Sequence, residues 1–267
     1  MTSHTHPWEG RHIGDRTVAY DERDAILYAL AVGAPADRLD LVFEDQLRVL
    51  PTFALTLAQW APDALGSAGA FDTSTAVHGA KRLDVIAPLP RSGKLDLSAR
   101  VDRVWDKGAA AIFDVVVESD FFRATWAIFA PGCGGFGGER GPSAPAQDER
   151  TPSSTLIVPT AANQAALYRL LGDRHHMHVD PKAARAAGQP RPFLHGLATL
   201  ATVSLAVADD LGAHPADLTR LEGRFAAPVF PGEELVVATW ADGGRTARFE
   251  ATADGRPAVR GGMAAFS

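Results

Sequence analysis

The sequence predicts an α+β fold made of two similar units, in each of which an antiparallel sheet wraps a helix. One observation behind this prediction is a boundary, because residues 131–154 contain ten glycines and prolines among 24 positions, a composition typical of a connection between folded units. The other is that a short helix, a longer helix and a meander of about four strands are predicted both before and after it. We therefore expect a duplicated unit, with domains at 1–130 and 155–267 and a linker at 131–154.

In the first unit, residues 25–32 and 52–60 are predicted to be helical. The residues that follow are rich in β-branched and aromatic types and are separated by turn signals such as Pro90-Arg91-Ser92-Gly93, which is typical of antiparallel strands. The predicted strands are 82–88, 94–105, 109–117 and 122–129. The first 24 residues are polar and carry no predicted element.

In the second unit, residues 164–171 are predicted to be helical, and a longer helix is predicted to begin after Pro192 and to continue to about Leu211. Leu197 and Leu200 lie on one face of this helix, and its other faces consist of Ala, Thr and Val. A helix that is apolar nearly all round belongs inside a structure, so we expect a curved antiparallel sheet to wrap it, the arrangement called a hotdog fold. The predicted strands are 221–230, 234–242, 245–253 and 257–266.

Composition limits the classes of function. The chain has 267 residues and a formal charge of -6, which disfavours nucleic acid and anionic membranes as partners because both require clustered Lys and Arg. Cys133 is the only cysteine, which excludes an internal disulfide and a four-thiolate metal site. We see no secretory signal, no apolar run of the roughly 20 residues that a membrane span needs, and no peroxisomal address. We therefore expect a cytoplasmic protein that acts on a small molecule.

A polar, histidine-rich segment at residues 172–181 precedes the longer helix of the second unit. It is flanked by Gly172 and Pro181 and is too polar for a core strand, so we expect a loop beside the buried helix, which is a common place for reactive groups. Three interpretations compete for it. In the first, Asp173 and His178 form an acid/base pair that holds a water molecule and passes protons near neutral pH.

In the second interpretation, His175, His176, His178 and Asp180 bind a divalent metal, because imidazole and carboxylate are suitable ligands. Adjacent His175 and His176 point in different directions, however, and no regular element brings them together, so we predict no metal. In the third, the segment is a solvated turn in which Asp180 caps a helix that begins at Pro181. That role for Asp180 is compatible with the acid/base pair.

His195 and Gly196 lie at the start of the longer helix, where the first backbone N–H groups have no intrahelical partner. These donors suit a developing oxyanion, and a glycine lets a carbonyl group approach closely. The alternative is that Gly196 only relieves crowding between helix and sheet, and spacing alone supports both equally. His78-Gly79 repeats the pair in the first unit, but no Asp-x-x-x-x-His segment precedes it, so we interpret it as a structural relic of duplication.

These residues resemble the MaoC-like, or hydratase 2, family of double-hotdog enzymes, in which a Gly-Asp-x-Asn-Pro-Leu-His segment precedes a helix start of the form Pro-x-x-His-Gly. The resemblance covers most of the chain. In the first half it rests on His78-Gly79 and on the segments APLPRSGKLDLSARV, VWDKGAAAIFDVV and GGFGGERGP. In the second half it rests on ALYRLLGDRHHMHVDPKAARAAGQPRPFLHGLATL and RFAAPVFPGEELVVATW.

The resemblance implies a double hotdog with two antiparallel sheets, each wrapped on a helix, whose halves pack as a pseudo-dimer. The family adds or removes water across the 2,3-double bond of acyl thioesters and forms (R)-3-hydroxyacyl products without a metal or redox cofactor. By this resemblance Asp173 and His178 are the acid/base pair, and the N–H of Gly196 is the donor to the thioester oxygen. The residues then expected to bind the substrate around them are His175, His195 and Arg191. The second half would be catalytic, and the non-catalytic first half would form the acyl pocket.

The chain departs from the family pattern at His175-His176-Met177, where the family usually has Asn-Pro-Leu. We expect this change to affect pocket geometry, substrate choice or pH response. The small-residue segment at 61–70 and the absence of a predicted long helix in the first half indicate a pocket widened for a bulky or long acyl group.

The function predicted first is therefore an (R)-specific 2-enoyl-CoA hydratase, or (R)-3-hydroxyacyl-CoA dehydratase, of fatty-acid or steroid side-chain β-oxidation. The alternatives are a dehydratase of acyl-carrier-protein thioesters in polyketide biosynthesis and a non-catalytic protein that binds acyl thioesters. Lys182, Arg185 and Arg191 form a basic segment near the site, which would suit the 3'-phosphate of CoA. A homodimer is expected because sheet edges are exposed.

Overall fold

The computed structural model describes residues 4–143 and 148–267, which form a ten-stranded antiparallel sheet, seven α-helices and four 3₁₀ helices. The strands are β1 (His12–Tyr20), β2 (Val77–Val85), β3 (Gly93–Asp106), β4 (Ala110–Glu118), β5 (Phe122–Pro131), β6 (Ser154–Pro159), β7 (Leu218–Phe225), β8 (Glu234–Ala241), β9 (Thr246–Ala253) and β10 (Arg256–Phe266). The α-helices are α1 (Glu22–Ala31), α2 (Leu39–Val42), α3 (Phe53–Leu57), α4 (Trp60–Ser67), α5 (Gln164–Tyr168), α6 (Pro181–Ala186) and α7 (Gly196–Asp210). The 3₁₀ helices are Glu44–Gln46, Arg169–Leu171, His176–His178 and Pro215–Asp217.

The strand order of the sheet is β1-β3-β4-β5-β2-β7-β10-β9-β8-β6. From one edge the first five strands follow the order β1-β3-β4-β5-β2, and from the other edge the last five follow the order β6-β8-β9-β10-β7. The two orders are the same when β1 to β5 are matched with β6 to β10. This repeat confirms the predicted α+β fold of two hotdog units. The pseudo-dimer stays a prediction, and the symmetric order agrees with it.

The two halves share one sheet, whereas the sequence led us to expect two. β2 and β7 pair antiparallel at the centre, from Ala80 opposite Arg224 to Asp84 opposite Arg220. Without this pairing each half would leave a row of unpaired N–H and C=O groups at its inner edge. The junction of β2 and β7 therefore joins both units into one continuous sheet.

The sequence analysis missed the two outermost strands. β1 and β6 lie at opposite edges of the sheet, and most of the β1 residues are exposed or half-buried. β1 carries few apolar residues, so it lacks the alternation that marks a buried strand, and β6 is only six residues long and begins in the glycine- and proline-rich segment. Each half consequently has five strands, where about four were expected.

The helices of the two halves differ as predicted. α7 is a single helix of 15 residues whose central part is buried. In the first half the helix predicted at 52–60 is observed as α3, of five residues, and a separate helix, α4, of eight residues, begins at Trp60. The first half thus has no long central helix within residues 4–143.

One hydrophobic cluster fills the interior of both halves, and it includes Trp126 of β5, Leu200 of α7 and Phe249 of β9. The glycine-rich segment after β5 packs against the first half, where the buried Asp106 carboxylate accepts hydrogen bonds from the N–H groups of Gly135 and Gly137. Residues 144–147 of the predicted linker lie outside the described residues. Over the described ranges, each helix is too short or too polar to span a bilayer.

Candidate active site

The polar segment predicted as a loop connects α5 to α7 and is shaped by its glycine and proline residues. Gly172 has a φ of 144°, a backbone conformation that is open to glycine but rarely to other residues. After the 3₁₀ turn at His176–His178, the Asp180 carboxylate accepts a hydrogen bond from the N–H of Lys182, and Pro181 is the first residue of α6. The predicted cap at Asp180 is therefore confirmed.

The Asp173 carboxylate is held on both of its oxygens. Oδ1 accepts from the backbone N–H of His175 at 3.2 Å and from its Nδ1 at 2.6 Å. Oδ2 accepts from Nε2 of Gln59, a residue of the first half, at 2.6 Å. Burial alone would raise the pKa of Asp173, but the interaction with His175, led by its hydrogen bond, outweighs burial, so that the pKa lies well below the usual range. Asp173 is therefore ionised at neutral pH.

His178 is buried and neutral. Burial lowers the pKa of its imidazole, and Nδ1 lies 2.8 Å from the backbone oxygen of Phe193. Since a carbonyl oxygen can only accept, Nδ1 carries the proton and Nε2 is left as the basic nitrogen. His178 can therefore accept a proton at Nε2.

His195 is buried beside His178, with 1% of its surface exposed. Its ring stacks on His178 with 3.8 Å between the ring centroids and lies 4.7 Å from the ring of Tyr168. Nε2 lies 3.2 Å from the backbone oxygen of Asp173. Burial is the main cause that lowers the pKa of His195 to about 3. His195 thus holds the loop against the start of α7 as a neutral side chain, and its contact with a substrate stays a prediction.

Gly196 is the first residue of α7, and no side chain caps this end of the helix. No backbone hydrogen bond within residues 4–143 and 148–267 uses its N–H group. A Cβ atom at this position would lie 3.1 to 3.2 Å from three carbons of the Phe225 ring. Gly196 therefore combines a free N–H donor with a close approach of the sheet, so both interpretations of this glycine have support.

The two remaining predicted residues lie nearer to solvent. The His175 side chain is 50% exposed, and its pKa is raised by the hydrogen bond to Asp173. The Arg191 side chain is 55% exposed and lies 3.7 Å from the Glu233 carboxylate and 4.6 Å from the centre of the Phe230 ring. The structure therefore joins His175 to Asp173 and places Arg191 against other residues.

The metal alternative needs a different set of ligands from the one that the sequence suggested. An oxygen of Asp173 and one nitrogen each of His178 and His195 lie within 4.8 Å of one another. A metal ion lies in the plane of each imidazole that binds it, about 2.0–2.1 Å from the nitrogen. The stacked rings of His178 and His195 are inclined by only 28°, so their planes meet too far away for one ion to lie in both. The geometry favours proton transfer at this site over a shared ion.

Gln59, a residue of the first half that was not predicted from the sequence, reaches this site and contacts Asp173 directly. His78, interpreted as a relic of duplication, lies in β2, and burial is the main cause that lowers the pKa of its imidazole. A lone glutamine in the apolar segment ALTLAQWAPDAL was a signal available for Gln59.

Comparison with known proteins gives family matches in both halves of the chain. Residues 18–129 match the MFE-2 hydratase 2 N-terminal domain, and residues 144–257 match the MaoC like domain. The chain is similar to the enoyl-CoA hydratase ChsH3 of Mycobacterium tuberculosis, with 38% identity over 85% of each chain. It is also similar to the 3-hydroxyacyl-thioester dehydratase Y of that organism, with 36% identity over 83% of this chain and 82% of the other. The crystal structure of a MaoC-like dehydratase from Phytophthora capsici superposes over 95% of each chain with a TM-score of 0.85 and 25% identity.

Proposed function

Because this chain belongs to the MaoC-like, hydratase 2 family, we propose that it is an (R)-specific 2-enoyl-CoA hydratase that works by acid/base catalysis at Asp173 and His178. It is an enzyme of the hydro-lyase class. The observation that carries the proposed chemistry is an ionised Asp173 carboxylate within 4.8 Å of a nitrogen of the neutral His178 imidazole, whose basic Nε2 has no hydrogen-bond partner among the described residues. Such a pair can hold a water molecule and exchange its proton near neutral pH.

Hydration moves one proton and forms one C–O bond. The water oxygen bonds to C3 of the 2-enoyl thioester, the pair takes one proton from that water, and C2 gains one proton from the pair. No electrons are exchanged with a cofactor, and the net proton count is unchanged. Dehydration of the (R)-3-hydroxyacyl thioester follows the same steps in reverse.

The thioester oxygen gains negative charge when C3 is attacked. We assign its stabilisation to the N–H of Gly196, because this group has no hydrogen-bond partner among residues 4–143 and 148–267 and lies at the positive end of α7. A fixed backbone donor of this kind contributes more in a water-excluded site than in solution. Gly196 therefore sets the position of the thioester relative to the acid/base pair.

The proposed substrate is a bulky or long acyl-CoA. The short length of α3 and α4, where the second half has the long helix α7, supports a wide acyl pocket on that side. A thioester of an acyl-carrier protein is the alternative, since both carriers present the same phosphopantetheine arm. A homodimer in the cytoplasm is part of the same proposal.

The acid/base assignment is tested by the loss of the 2-enoyl absorbance in mixtures of enzyme with enoyl-CoA. We expect Asp173→Asn and His178→Ala to lower kcat by about 10²–10⁴-fold, the usual contribution of a positioned acid or base. His176→Ala is the matched control, because this exposed histidine lies in the same turn and no side-chain hydrogen bond involves it in the described part of the chain. Wild-type rates in both site variants would refute the assignment.

The substrate class is tested by rates on acyl groups of increasing size, each attached to CoA and to an acyl-carrier protein. We expect kcat/KM to rise from crotonyl-CoA to longer or ring-bearing enoyl-CoA, and to be higher on CoA than on the protein carrier. Equal turnover of crotonyl-CoA, with no gain for larger groups, would count against a bulky substrate.

A further inference from the structure

The segment between α3 and α4 of the first half docks on the site of the second half. Gln59 precedes α4 and donates from Nε2 to Oδ2 of Asp173 at 2.6 Å. Thr56, three residues earlier, lies 2.8 Å from the hydroxyl of Tyr168 through its Oγ1. Both residues are buried, with 7% of Gln59 and 6% of Thr56 exposed. Two hydrogen bonds from the end of α3 and the residue before α4 thus fix the first half against the second beside the catalytic carboxylate.

Gln59 is the partner that the second half does not supply. The contacts of Oδ1 come from His175, two residues away in the same loop. Among the described residues, the hydrogen-bond partner of Oδ2 is Gln59. A carboxylate oxygen accepts up to two hydrogen bonds, so Oδ2 keeps a free acceptor position. The carboxylate is therefore clamped from both halves and can still receive a water molecule.

The chemistry of an amide suits this position. Nε2 of glutamine donates hydrogen bonds and does not titrate near neutral pH, so it stabilises the charged carboxylate without competing for the transferred proton. The other end of the side chain, Oε1, is buried and has no hydrogen-bond partner among the described residues. An unpaired buried acceptor costs free energy. Stability alone therefore gives no reason for a glutamine here.

We propose that Gln59 is a positioning residue for the reaction, which holds the Asp173 carboxylate ionised and in one orientation from the half that carries no member of the acid/base pair. This inference rests on the proposed function, because it requires Asp173 to act in catalysis. It gives the first half a part in the chemistry in addition to its part in the acyl pocket.

The experiment compares Gln59→Leu with Gln59→Glu in the full-length protein, with trans-2-decenoyl-CoA as the probe. Leucine keeps the approximate size and removes the donor, and we expect kcat to fall by about 10- to 100-fold, the usual effect of losing a hydrogen bond to a charged group. KM should change by less than about 3-fold, because Gln59 contacts the carboxylate and not the thioester.

Gln59→Glu supplies a readout that a merely structural role would not move. A glutamate at this position repels Asp173 when ionised and donates to it when protonated. We therefore expect the activity of Gln59→Glu, relative to Gln59→Leu, to rise as the pH falls from about 8.5 to about 6. If Gln59→Leu does not fold, the same rise is measured for Gln59→Glu relative to the wild type.

Gln164→Leu is the matched control. Gln164 is also buried and bonds Thr202 and the N–H of Ala161, away from Asp173. We expect this variant to lower the melting temperature and to leave the shape of the pH profile unchanged. The proposal is overturned if folded Gln59→Leu keeps the wild-type kcat, or if the activity ratio does not change with pH. If Asp173→Asn is inactive in that case, only the role of Gln59 fails and the proposed function stands.

Discussion

Replacing His175 with asparagine removes a titratable group from the Asp173 carboxylate. The imidazole lies 2.6 Å from Oδ1 of Asp173 through Nδ1, and this contact raises the pKa of His175 above its usual value of 6.5. The pair stabilises the folded protein most when His175 is protonated and Asp173 is ionised. Asparagine at this position can donate to the same oxygen but cannot become charged.

The size of the effect follows from the contact and its exposure. A hydrogen bond between charged partners contributes about 1.5–3 kcal/mol. Half of the His175 side chain is exposed, so screening by solvent reduces the contribution to about 1 kcal/mol. Because the folded pKa of His175 is raised, this stability is fully present below about pH 6.5 and is lost as the pH rises through the folded pKa. The pKa of Asp173 is depressed, so its ionisation is lost only in strong acid.

The assay is thermal unfolding of the wild type and His175→Asn near pH 5.5 and near pH 9. We expect His175→Asn to lower the melting temperature at both pH values, and the decrease near pH 5.5 to exceed the decrease near pH 9 by about 2–4 °C. This is the shift that about 1 kcal/mol produces in a chain of this size. His176→Asn, in the same turn, should show no such difference. An equal loss of stability at both pH values would refute the proposed charge pairing of His175 with Asp173.

Two further predictions concern Gly196 and Asp40. In Gly196→Ala the new methyl group would lie 3.1 to 3.2 Å from the Phe225 ring, so the start of α7 must move by a few tenths of an ångström. We expect kcat to fall by about 10-fold with little change in KM. An unchanged kcat would argue against the proposed role of this N–H. Asp40 of α2 bonds Arg38 and His214, and the hydrogen bond from Arg38 is the main cause that lowers its pKa to about 2. Asp40→Asn should therefore destabilise the protein by about 1–2 kcal/mol at neutral pH, and the loss should shrink as the pH falls toward about 2, because a depressed pKa gives stability above its unfolded value. Urea denaturation at pH 7 and at about pH 3, with exposed Asp37→Asn as control, measures this, and a loss that does not change with pH would contradict it.

The parts of the fold that depend on apolar burial could be predicted from the sequence. The helix at Gly196–Asp210 and the strands of both meanders appear close to the expected bounds, because buried elements carry a clear apolar pattern. β1 was not predicted because this edge strand carries little of that pattern, and β6 was not predicted because it is short and begins in the glycine- and proline-rich segment. The pairing of β2 with β7 was not predicted for another reason. Whether the two halves form one sheet or two depends on which strand edges meet, and the local sequence does not encode this.

Some residues of the candidate site could likewise be identified from the sequence, and others could not. Asp173, His178 and Gly196 are close in sequence, and the resemblance to the family motif pointed to them, although their catalytic roles stay a proposal. Gln59 reaches Asp173 across 114 positions of the chain, so no local spacing could identify it. For His195 the sequence suggested substrate contact, which stays a prediction, and the structure adds a packing role, because its ring lies between those of Tyr168 and His178.

The continuous sheet and the shared hydrophobic cluster make the two halves one cooperative unit. Strands of both halves pair at the centre, and the same cluster contains Trp126 from the first half and Phe249 from the second. Partial unfolding of either half would expose the interior of the other, so both are expected to melt in a single transition. The first half supplies no member of the proposed acid/base pair. Selection would nevertheless maintain it for folding as well as for activity, because mutations that unfold the first half would also destabilise the second half.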